Sequence, residues 1–490
     1  LIQLKAHLKD SAAVGKAAAL LEWDKEVMMP PDSDAERGQI LAALDVVSHA
    51  KRTDPRIAGW IKDARGETQD PLELRNLQLL EEEYLIATAL PERLVRAITE
   101  TKNTCVSVWQ EAKPKSDWNA VRPSLEALFA LVQEKAAILG EALGVTPYDA
   151  LLRLSARNNN VQLIDGLFNE LETALPPMLE QALQRCAAHP PKTIHLPRAV
   201  QEQAARQLAT TIGFSLTRGR LDVSSHPFSG GTKYDSRITT RFPEGNSFSA
   251  LMGVLHEVGH AMYSQNTPQE WEDMPLGADS DLSLHESQSL LIEKQVGLSP
   301  EFIHYMHQTI QQLDQSALSG ITPADMQRHL HHVSRDFIRV EANELTYPLH
   351  VVLRYGLEKK LFTGQLRVDD IPQAWNEGMK RLIGVDVPEH RLGCLQDIHW
   401  YWGLFGYFPT YTQGALYAAQ IFAAAKRALP DLMQQLRRGE CATLMGWLHT
   451  HIHRAGQIWD IPELITRVTG EAPTAKHFLE HLRARYLANG

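Results

Sequence analysis

Hydrophobic residues recur along most of this chain at the three- and four-residue spacing of amphipathic helices. The segments with this spacing are rich in Ala, Leu, Gln, Glu and Arg, which favour helix. The pattern predicts helices over residues 71–90, 123–143, 161–188 and 199–212. We therefore expect a mainly α protein.

Clusters of proline and glycine interrupt the helical pattern, and the HPPK cluster at residues 189–192 is the best candidate for a lobe boundary. Helical spacing continues on both sides of it, and the chain contains neither a fixed-period repeat nor a low-complexity segment. We predict one unit over residues 1–490, with an N-terminal helical lobe over about residues 1–190 and a second part over residues 191–490 that contains the candidate site residues described below.

Residues 221–242 depart from helix and are rich in β-branched side chains. Asp235, Arg237 and Thr239 alternate there with a period of two, which predicts a short pair of strands and places these side chains on one face. Arg237 is then held beside Asp235. The pair is either a surface hairpin or part of the wall of a groove.

Residues 248–265, FSALMGVLHEVGHAMYSQ, predict a helix with two faces. Its apolar residues form one stripe. His256 and His260 lie one turn apart opposite that stripe, in the arrangement that binds zinc, and Glu257 between them can act as a general base. Gly253 leaves space one turn before the histidines. Because up to about one chain in ten of this composition contains H-E-x-x-H by chance, a pair of histidines on an ordinary amphipathic helix is the alternative.

A catalytic zinc site needs a third protein ligand. The pattern HExxHxxGxxH does not supply it, because Tyr263 and Asn266 occupy the positions of its Gly and its third His. The next predicted helix, residues 281–297, contains Glu286 near its start. Glu286 is either the third ligand or, together with Ser283, part of a capping box. The spacing alone leaves both interpretations open.

Residues 335–361 predict a helix that Pro348 kinks or restarts. Arg339 and Arg354 fall near one of its faces. Arginines in such positions are usually solvated or ion-paired. In a peptide-binding cleft, however, a guanidinium is the natural bidentate clamp for a terminal carboxylate.

Residues 393–414, GCLQDIHWYWGLFGYFPTYTQG, combine His399, Tyr407 and Tyr411 with several other aromatic residues. Such a density of aromatic side chains is typical of a core. His and Tyr are also donors that enzymes direct at a tetrahedral oxyanion. The sequence of the segment agrees with both interpretations.

The overall composition is that of an ordinary soluble globular protein, with 44% hydrophobic and 22% charged residues. The net charge of −10 argues against nucleic acid or an anionic membrane as a partner. Cys105, Cys186, Cys394 and Cys441 are widely scattered, as expected in a reducing cytoplasm. No apolar run reaches about 18 residues and the N-terminus is charged, so we expect a cytoplasmic location.

Several segments resemble, in the same order, the signatures of the Taq-type thermostable metallocarboxypeptidases, the thirty-second family of metallopeptidases. The resemblance extends over nearly the whole chain. The segments are WDKEVMMPP at 23–31, HPF at 226–228, DSRIT at 235–239, HEVGH at 256–260, HESQ at 285–288, GCLQDIHW at 393–400 and FGYFPTYT at 405–412.

The resemblance implies a mainly α fold, a large helical, saddle-like zincin with a deep substrate groove and a small β-sheet beside the HExxH helix. It also implies a homodimer and a carboxypeptidase of broad specificity that uses Zn²⁺, tolerates Co²⁺ and acts on peptides with a free C-terminus. His256, His260 and Glu286 correspond to the metal ligands, which favours the ligand interpretation of Glu286. Glu257 corresponds to the base that takes a proton from a metal-activated water.

Further correspondences concern substrate binding. His399 and Tyr411 match residues expected to stabilise the transition state, and Tyr407 is a further candidate for this role. Either Arg339 or Arg354 is implied to bind the carboxylate of the substrate, and the resemblance does not decide between them.

The HPF and DSRIT motifs, with His226, Asp235 and Arg237, are implied to form the closed end of the groove and to limit what extends past the scissile bond. Asn343 and Gly356 stand where the family pattern has Asp and Glu. No departure removes a metal ligand or the base. The alternatives are a zinc endo-oligopeptidase and a non-catalytic helical protein with a structural metal, and the lack of Cys near the His pair argues against the second.

Overall fold

The computed structural model describes residues 1–243, 245–278 and 281–488. Helices dominate these residues, which confirms the mainly α class. The first helices are α1 (Ile2–Val27), α2 (Asp34–Arg52), α3 (Arg56–Glu67), α4 (Pro71–Ala89), α5 (Glu92–Ala112), α6 (Trp118–Leu143) and α7 (Pro147–Ser155). The middle of the chain forms α8 (Val161–Ala188), α9 (Arg198–Ile212), α10 (Ser247–Asn266), α11 (Leu282–Leu290), α12 (Pro300–Leu313) and α13 (Pro323–Leu330). The last helices are α14 (Tyr347–Phe362), α15 (Ile371–Leu382), α16 (Pro409–Ala428), α17 (Leu432–Arg437), α18 (Ala442–His451), α19 (Ile461–Thr469) and α20 (Lys476–Leu482).

The four helices predicted from spacing are present as α4, α6, α8 and α9. The largest error is the start of α6, which begins at Trp118 and contains Pro123 in its interior. Asp117 caps α6 by accepting a hydrogen bond from the Ala120 amide, so the cap marks the start and the proline does not. Within the described part of the chain, no helix is long and apolar enough to cross a membrane.

A small sheet precedes α10, as the resemblance implied. Its strands are β1 (Gly219–Val223), β2 (Ser229–Thr232) and β3 (Asp235–Thr240), in the order β1-β3-β2. β2 and β3 form the predicted antiparallel pair, whereas the parallel pairing of β1 with β3 was not predicted. Alternation of side chains identifies a strand but not its partner. α10 lies against the face that carries Ile238 and Thr240, whose hydroxyl donates to the Ala250 carbonyl.

Two hydrophobic cores hold the helices together. The larger core takes residues from Cys105 to Tyr486 and includes α8 and α9, which flank residues 189–192. The smaller core joins α1, α3 and α4 to Met274 in the loop after α10. The HPPK segment therefore connects two helices of the same core, and the division of the chain near residue 190 stays a prediction.

The predicted helix over residues 335–361 is wrong in its first part. Only Arg339–Glu341 form a short 3₁₀ turn there, and α14 begins at Tyr347 with Pro348 in its first turn. Asn343 explains the break, because its side-chain oxygen accepts hydrogen bonds from the Leu345 and Thr346 amides. Asn competes in this way with helical hydrogen bonding.

Candidate active site

α10 presents the HEVGH residues on a helix whose other side is buried. Asn246 caps the helix by accepting a hydrogen bond from the Ser249 amide. His256 and His260 remain partly exposed on the opposite side. The predicted apolar stripe lies in the larger core, with Phe248, Leu251, Leu255 and Val258 fully buried.

His256, His260 and Glu286 bring three metal-binding atoms together. Glu286 Oε2 lies 3.9 Å from His256 Nε2 and 3.5 Å from His260 Nε2. A tetrahedral ion with bonds of about 2.0–2.2 Å needs donor atoms about 3.4 Å apart. These side chains therefore fit a metal ion with only small adjustments, and no other such group of His, Cys, Asp or Glu occurs among the described residues.

The helix that carries Glu286 is capped by a different residue from the one the capping-box hypothesis requires. Asp281 accepts hydrogen bonds from the Ser283 and Leu284 amides, and the Ser283 hydroxyl donates to the same carboxylate. The hypothesis of a capping box formed by Ser283 and Glu286 is therefore wrong. Glu286 is left to face the two histidines.

Two glycines let α11 lie close enough for Glu286 to reach the histidines. A Cβ atom on Gly259 would lie 2.4 Å from the Gln288 carbonyl oxygen and 2.5 Å from Ser289 Cα. A Cβ atom on Gly414 of α16 would lie 2.6 Å from Glu286 Cγ. α11 is thus held between α10 and α16 at positions where only hydrogen fits. The sequence analysis did not assign a role to either glycine.

Gly259→Ala is expected to lower the free energy of unfolding by about 1–3 kcal/mol, because the added methyl group meets backbone atoms. It is also expected to weaken metal binding, because α11 and Glu286 must move away. Chemical unfolding and metal titration measure the two effects. Gly253→Ala is the matched control, since its Cβ would meet Thr240 Oγ1 at 3.6 Å and Pro227 Cγ at 3.8 Å, which are ordinary contacts. Equal metal affinity in both variants would contradict the prediction.

Glu257 follows His256 directly on α10 but is not one of the three clustered donors. Its side chain is almost completely buried. Burial raises the pKa of Glu257 to about 7, although the charge of neighbouring His256 opposes this shift. A carboxyl group that exchanges protons near neutral pH is suited to general base catalysis.

Each histidine also contacts a second side chain through its other ring nitrogen. His256 Nδ1 lies 2.9 Å from Glu293 Oε2, and His260 Nδ1 lies 2.6 Å from His285 Nδ1. Burial opposes ionisation of Glu293, but Lys294 and His256 hold its pKa below the ordinary value. The sequence analysis missed Glu293 and His285 as partners, although His285 lies in the HESQ motif itself.

Arg339 and Arg354 share a single carboxylate. Asp397 lies 2.9 Å from Arg339 Nη2 and 2.6 Å from Arg354 Nη2. Burial opposes ionisation of Asp397, but the two arginines hold its pKa well below the ordinary value. The group of two guanidinium ions and one carboxylate therefore keeps one positive charge that Asp397 does not balance.

The two arginines differ in access. The Arg354 side chain is 0% exposed, whereas the Arg339 side chain is 5% exposed and donates to the Tyr347 hydroxyl at 2.6 Å. The Arg339 guanidinium also lies 4.9 Å from the centre of the Tyr411 ring. Tyr347 and Tyr411 line a cavity of about 180 Å³ together with His256 and Glu286. Arg339 is therefore next to side chains that face the metal-binding donors.

His399, Tyr407 and Tyr411 lie together beside this cavity. The Tyr411 hydroxyl is 3.2 Å from His399 Nε2, and the rings of Tyr407 and Tyr411 meet edge to face with centres 5.4 Å apart. Burial lowers the pKa of His399 to about 4, so the imidazole is neutral at pH 7. The aromatic segment thus contributes both to the core, through Trp400 and Phe408, and to the polar lining.

Comparisons with known proteins agree on one family. The sequence profile described as carboxypeptidase Taq (M32) metallopeptidase matches residues 3–486. Thermostable carboxypeptidase 1 of Thermus thermophilus is 37% identical, over 98% of this chain and 97% of that protein. The structure of metallocarboxypeptidase 1 of Trypanosoma cruzi superposes with a TM-score of 0.95 at 33% identity, over 99% of each chain.

The chain belongs to the carboxypeptidase Taq (M32) family of metallopeptidases. A second solved structure, the M32 carboxypeptidase of Deinococcus radiodurans, superposes with a TM-score of 0.93 at 33% identity, over 99% of this chain and 98% of that one. The resemblance inferred from the motifs is therefore confirmed, and the protein is a metallocarboxypeptidase.

A buried carboxyl group fixes the loop that carries the aromatic candidates of this carboxypeptidase. Glu358 of α14 accepts hydrogen bonds from Trp400 Nε1 at 2.7 Å, the Gly406 amide at 2.7 Å and the Tyr148 hydroxyl at 2.8 Å. Burial raises the pKa of Glu358 to about 7. Trp400 follows His399 and Gly406 precedes Tyr407, so Glu358 holds both ends of the segment between these two side chains.

The residues of the HPF and DSRIT motifs lie on two sides of the sheet. Pro227 of HPF reaches α10 one turn before His256, at Gly253, and the side chain of neighbouring His226 is exposed. Asp235 holds Arg237 by two hydrogen bonds of 2.9 and 2.7 Å, which confirms that the two are neighbours.

Asp235 and Arg237 belong to the face of β3 that points away from α10. The Arg237 guanidinium lies 4.2 Å from the centre of the Trp23 ring on α1, and the Arg220 guanidinium lies 4.8 Å from the same ring. Trp23 is nearly fully buried. The DSRIT motif therefore joins α1 to the sheet, and its role toward the substrate stays a prediction.

Proposed function

We propose that this metallocarboxypeptidase removes single residues from the free C-terminus of peptides with a Zn²⁺ ion held by His256, His260 and Glu286 and with Glu257 as the general base. The observation that carries the proposal is the proximity of the metal-binding donors to a positively charged cluster. Tyr347 and Tyr411 line one cavity with the metal-binding donors His256 and Glu286, and the same two tyrosines contact Arg339 of the buried cluster with excess positive charge.

The donor set suits zinc. Two imidazoles and one carboxylate, with no fourth protein donor in the group, are typical of catalytic zinc sites that keep a position for water or substrate. A bound Zn²⁺ ion supplies a Lewis acid and lowers the pKa of a bound water toward neutrality. Co²⁺ accepts the same nitrogen and oxygen donors, so exchange of the metal is expected to be tolerated.

Glu257 supports the proton transfers. Its carboxylate follows His256 directly on α10 and is shielded from solvent. In the proposed reaction it takes a proton from the attacking water and delivers the proton to the leaving amine. A carboxyl group that both accepts and releases a proton in one reaction needs a pKa near the working pH. Burial of Glu257 raises its pKa toward that range.

The burial and the contacts of the two arginines favour Arg339 as the group that binds the substrate carboxylate. Arg354 is fully buried beneath Asp397, whereas Arg339 lies nearer the surface and contacts Tyr347 and Tyr411. We assign to Arg354 the role of a second counter-charge for Asp397. Asp397 then holds Arg339 in place, and Arg339 offers its charge to the terminal carboxylate.

His399 and Tyr411 are the proposed donors to the oxyanion, with Tyr407 as a neighbour that fixes the Tyr411 ring. A single well-placed donor is worth about 3–4 kcal/mol of transition-state stabilisation. The neutral His399 imidazole and the Tyr411 hydroxyl are hydrogen-bond partners, so each restricts the orientation of the other.

The cavity beside the metal donors predicts which C-terminal residues are removed fastest. Apart from Glu286, which we assign to the metal, the acidic side chains that line it are paired, Glu293 with Lys294 and Glu344 with Arg485. We expect a C-terminal Leu or Phe to be released with a kcat/KM about tenfold higher than a C-terminal Asp. The volume of the cavity is about 180 Å³, and its aliphatic and Phe lining consists of Leu290, Val340, Ala342, Pro348, Ala415, Ala418 and Phe478.

Peptides that differ only at the last residue test this preference by mass spectrometry. The control is the same exchange of Leu for Asp at the preceding position, which this cavity does not hold. An equal effect at both positions would contradict the assignment of the cavity.

The proposed function itself is tested with a peptide digested over time, once with a free C-terminus and once with a C-terminal amide, alongside metal analysis of the purified enzyme. A ladder of single-residue losses from the free peptide, a strongly slowed reaction of the amide and about one zinc per chain are expected. Internal cleavage of both peptides at similar rates would instead support a zinc endo-oligopeptidase. The homodimer, the cytoplasmic location and the lack of nucleic-acid and membrane partners stay predictions.

A further inference from the structure

Glu293 occupies an unusual place in the chain, directly behind a metal-binding histidine. It lies in the π-helical segment Leu291–Gly297, which continues α11 beyond Glu286. One of its oxygens is 2.9 Å from His256 Nδ1, and the other is 2.6 Å from Lys294 Nζ. The carboxylate is therefore bound on both sides.

This contact determines which nitrogen of His256 can bind a metal. A carboxylate only accepts hydrogen bonds, so in the neutral imidazole that binds a metal Nδ1 carries the proton and Nε2 has the free lone pair. Nε2 is the nitrogen that lies 3.9 Å from Glu286 Oε2. The negative charge of Glu293 also makes the imidazole a stronger donor. At His260 the equivalent nitrogen contacts the ring of His285.

The segment that carries Glu293 is π-helical. It winds more widely than an α-helix, and such segments are frequent at functional sites. Glu286 in α11 approaches His256 from the Nε2 side, and Glu293 in the wider segment approaches from the Nδ1 side. One continuous stretch of chain thus supplies Glu286, which belongs to the metal-binding group, and Glu293, which contacts the metal-binding His256.

The C-terminal residues hold the π-helical segment in place. Arg485 donates from Nη2 to the Lys294 carbonyl at 2.8 Å and pairs through Nη1 with the buried Glu344. Glu344 also accepts from the Tyr486 hydroxyl at 2.9 Å and contacts His481 Nε2 at 3.1 Å. A second π-helical segment, Arg483–Leu487, carries Arg485. The last turns of the chain are thereby connected to the metal site.

We propose that Glu293 is a positioning residue for the metal: it orients His256 and strengthens it as a ligand, and Arg485 keeps Glu293 in position from the C-terminal segment. The proposal rests on the metal site of the proposed function. It does not depend on which peptide bonds the enzyme cleaves.

The test measures the affinity of the metal-free full-length enzyme for Zn²⁺ by competition with a chelator. Glu293→Ala is expected to weaken binding about 10–100-fold. Glu293→Gln is expected to reduce the affinity for Zn²⁺ less than Glu293→Ala does, because its amide oxygen still accepts the hydrogen bond from Nδ1. Some reduction is expected because the amide carries no charge. Arg485→Met is expected to weaken binding several-fold and to increase hydrogen exchange over residues 291–297.

Glu471→Gln provides the matched control. Glu471 also pairs with a histidine, His477, but neither residue belongs to the metal group. The Glu471→Gln substitution is expected to leave the affinity for Zn²⁺ unchanged. The thermal stability of each metal-free variant is measured in parallel, because a purely structural contact changes stability without changing metal affinity.

The outcomes separate this proposal from the proposed function. Zinc affinity of Glu293→Ala within twofold of the wild type overturns the positioning role, whether or not the variant is less stable. If the wild-type enzyme binds zinc and His256→Ala abolishes that binding, the metal site stands even when Glu293→Ala has no effect. Failure of the wild type to bind zinc would instead overturn the proposed zinc chemistry.

Discussion

Glu257→Gln is expected to lower kcat for release of C-terminal residues by about 10²–10⁴-fold while zinc content and KM stay close to those of the wild type. The amide has nearly the same size as the carboxylate but cannot take a proton from water. Because Glu257 is not one of the three clustered donors, its exchange leaves the metal ligands intact. Steady-state kinetics and metal analysis of the same preparation measure both quantities.

Glu463→Gln is the control for this exchange. Glu463 lies on the exposed side of α19, where it pairs with Arg467, and its substitution is expected to leave kcat unchanged. A Glu257→Gln enzyme with full zinc content and near wild-type kcat would refute the role of Glu257 as base. Loss of zinc together with loss of activity would show that Glu257 supports the metal rather than the proton transfer.

Arg339→Met is expected to lower kcat/KM for peptides with a free C-terminus by about 30- to 3,000-fold, which corresponds to about 2–5 kcal/mol for loss of one partner of a desolvated charge pair. Peptides with an amidated C-terminus should lose far less, because they lack the carboxylate that Arg339 binds. Arg339→Lys is expected to restore activity only in part, since an ammonium group does not match a carboxylate with two parallel hydrogen bonds. Kinetics on paired free and amidated peptides measure the difference.

Arg354→Met distinguishes the two arginines. Arg354 is fully buried against Asp397, so its removal leaves a carboxylate with one partner fewer and is expected to lower the free energy of unfolding by about 3–5 kcal/mol. The ratio of activity on free and amidated peptides should change little at a temperature where the variant is folded. If Arg354→Met instead changes this ratio more than Arg339→Met does, the assignment of the two arginines is reversed.

The neighbourhood of Glu286 shows where spacing along the chain is insufficient. Ser283 and Glu286 have the spacing of a capping box, and the spacing is equally compatible with a metal ligand at Glu286. The choice depends on Asp281, which caps α11, and on Gly259 and Gly414, which bring α11 near the histidines. The cap by Asp281 is a local contact, but the close approaches at Gly259 and Gly414 join separate helices, so no local pattern contains them.

Helical periodicity and the H-E-x-x-H spacing are properties of neighbouring residues, because the α-helix places residues four apart on the same side. For this reason the sequence by itself determined the mainly α class, the apolar stripe of α10 and the placement of His256 and His260 together. The order of motifs also determined the family. It did not determine the break before α14, where the Asn343 side chain ends the helical pattern.

Only the tertiary structure decided how distant segments meet. Asp397 lies 43 residues beyond Arg354 and 58 beyond Arg339, yet its carboxylate joins the two arginines and leaves Arg339 as the more accessible one. Glu293 contacts His256 from the π-helical segment that follows α11, and Arg485 contacts that segment from residues 483–487. Such contacts depend on the packing of whole helices. Packing is a collective result of the entire core, and the spacing of residues within one segment does not specify it.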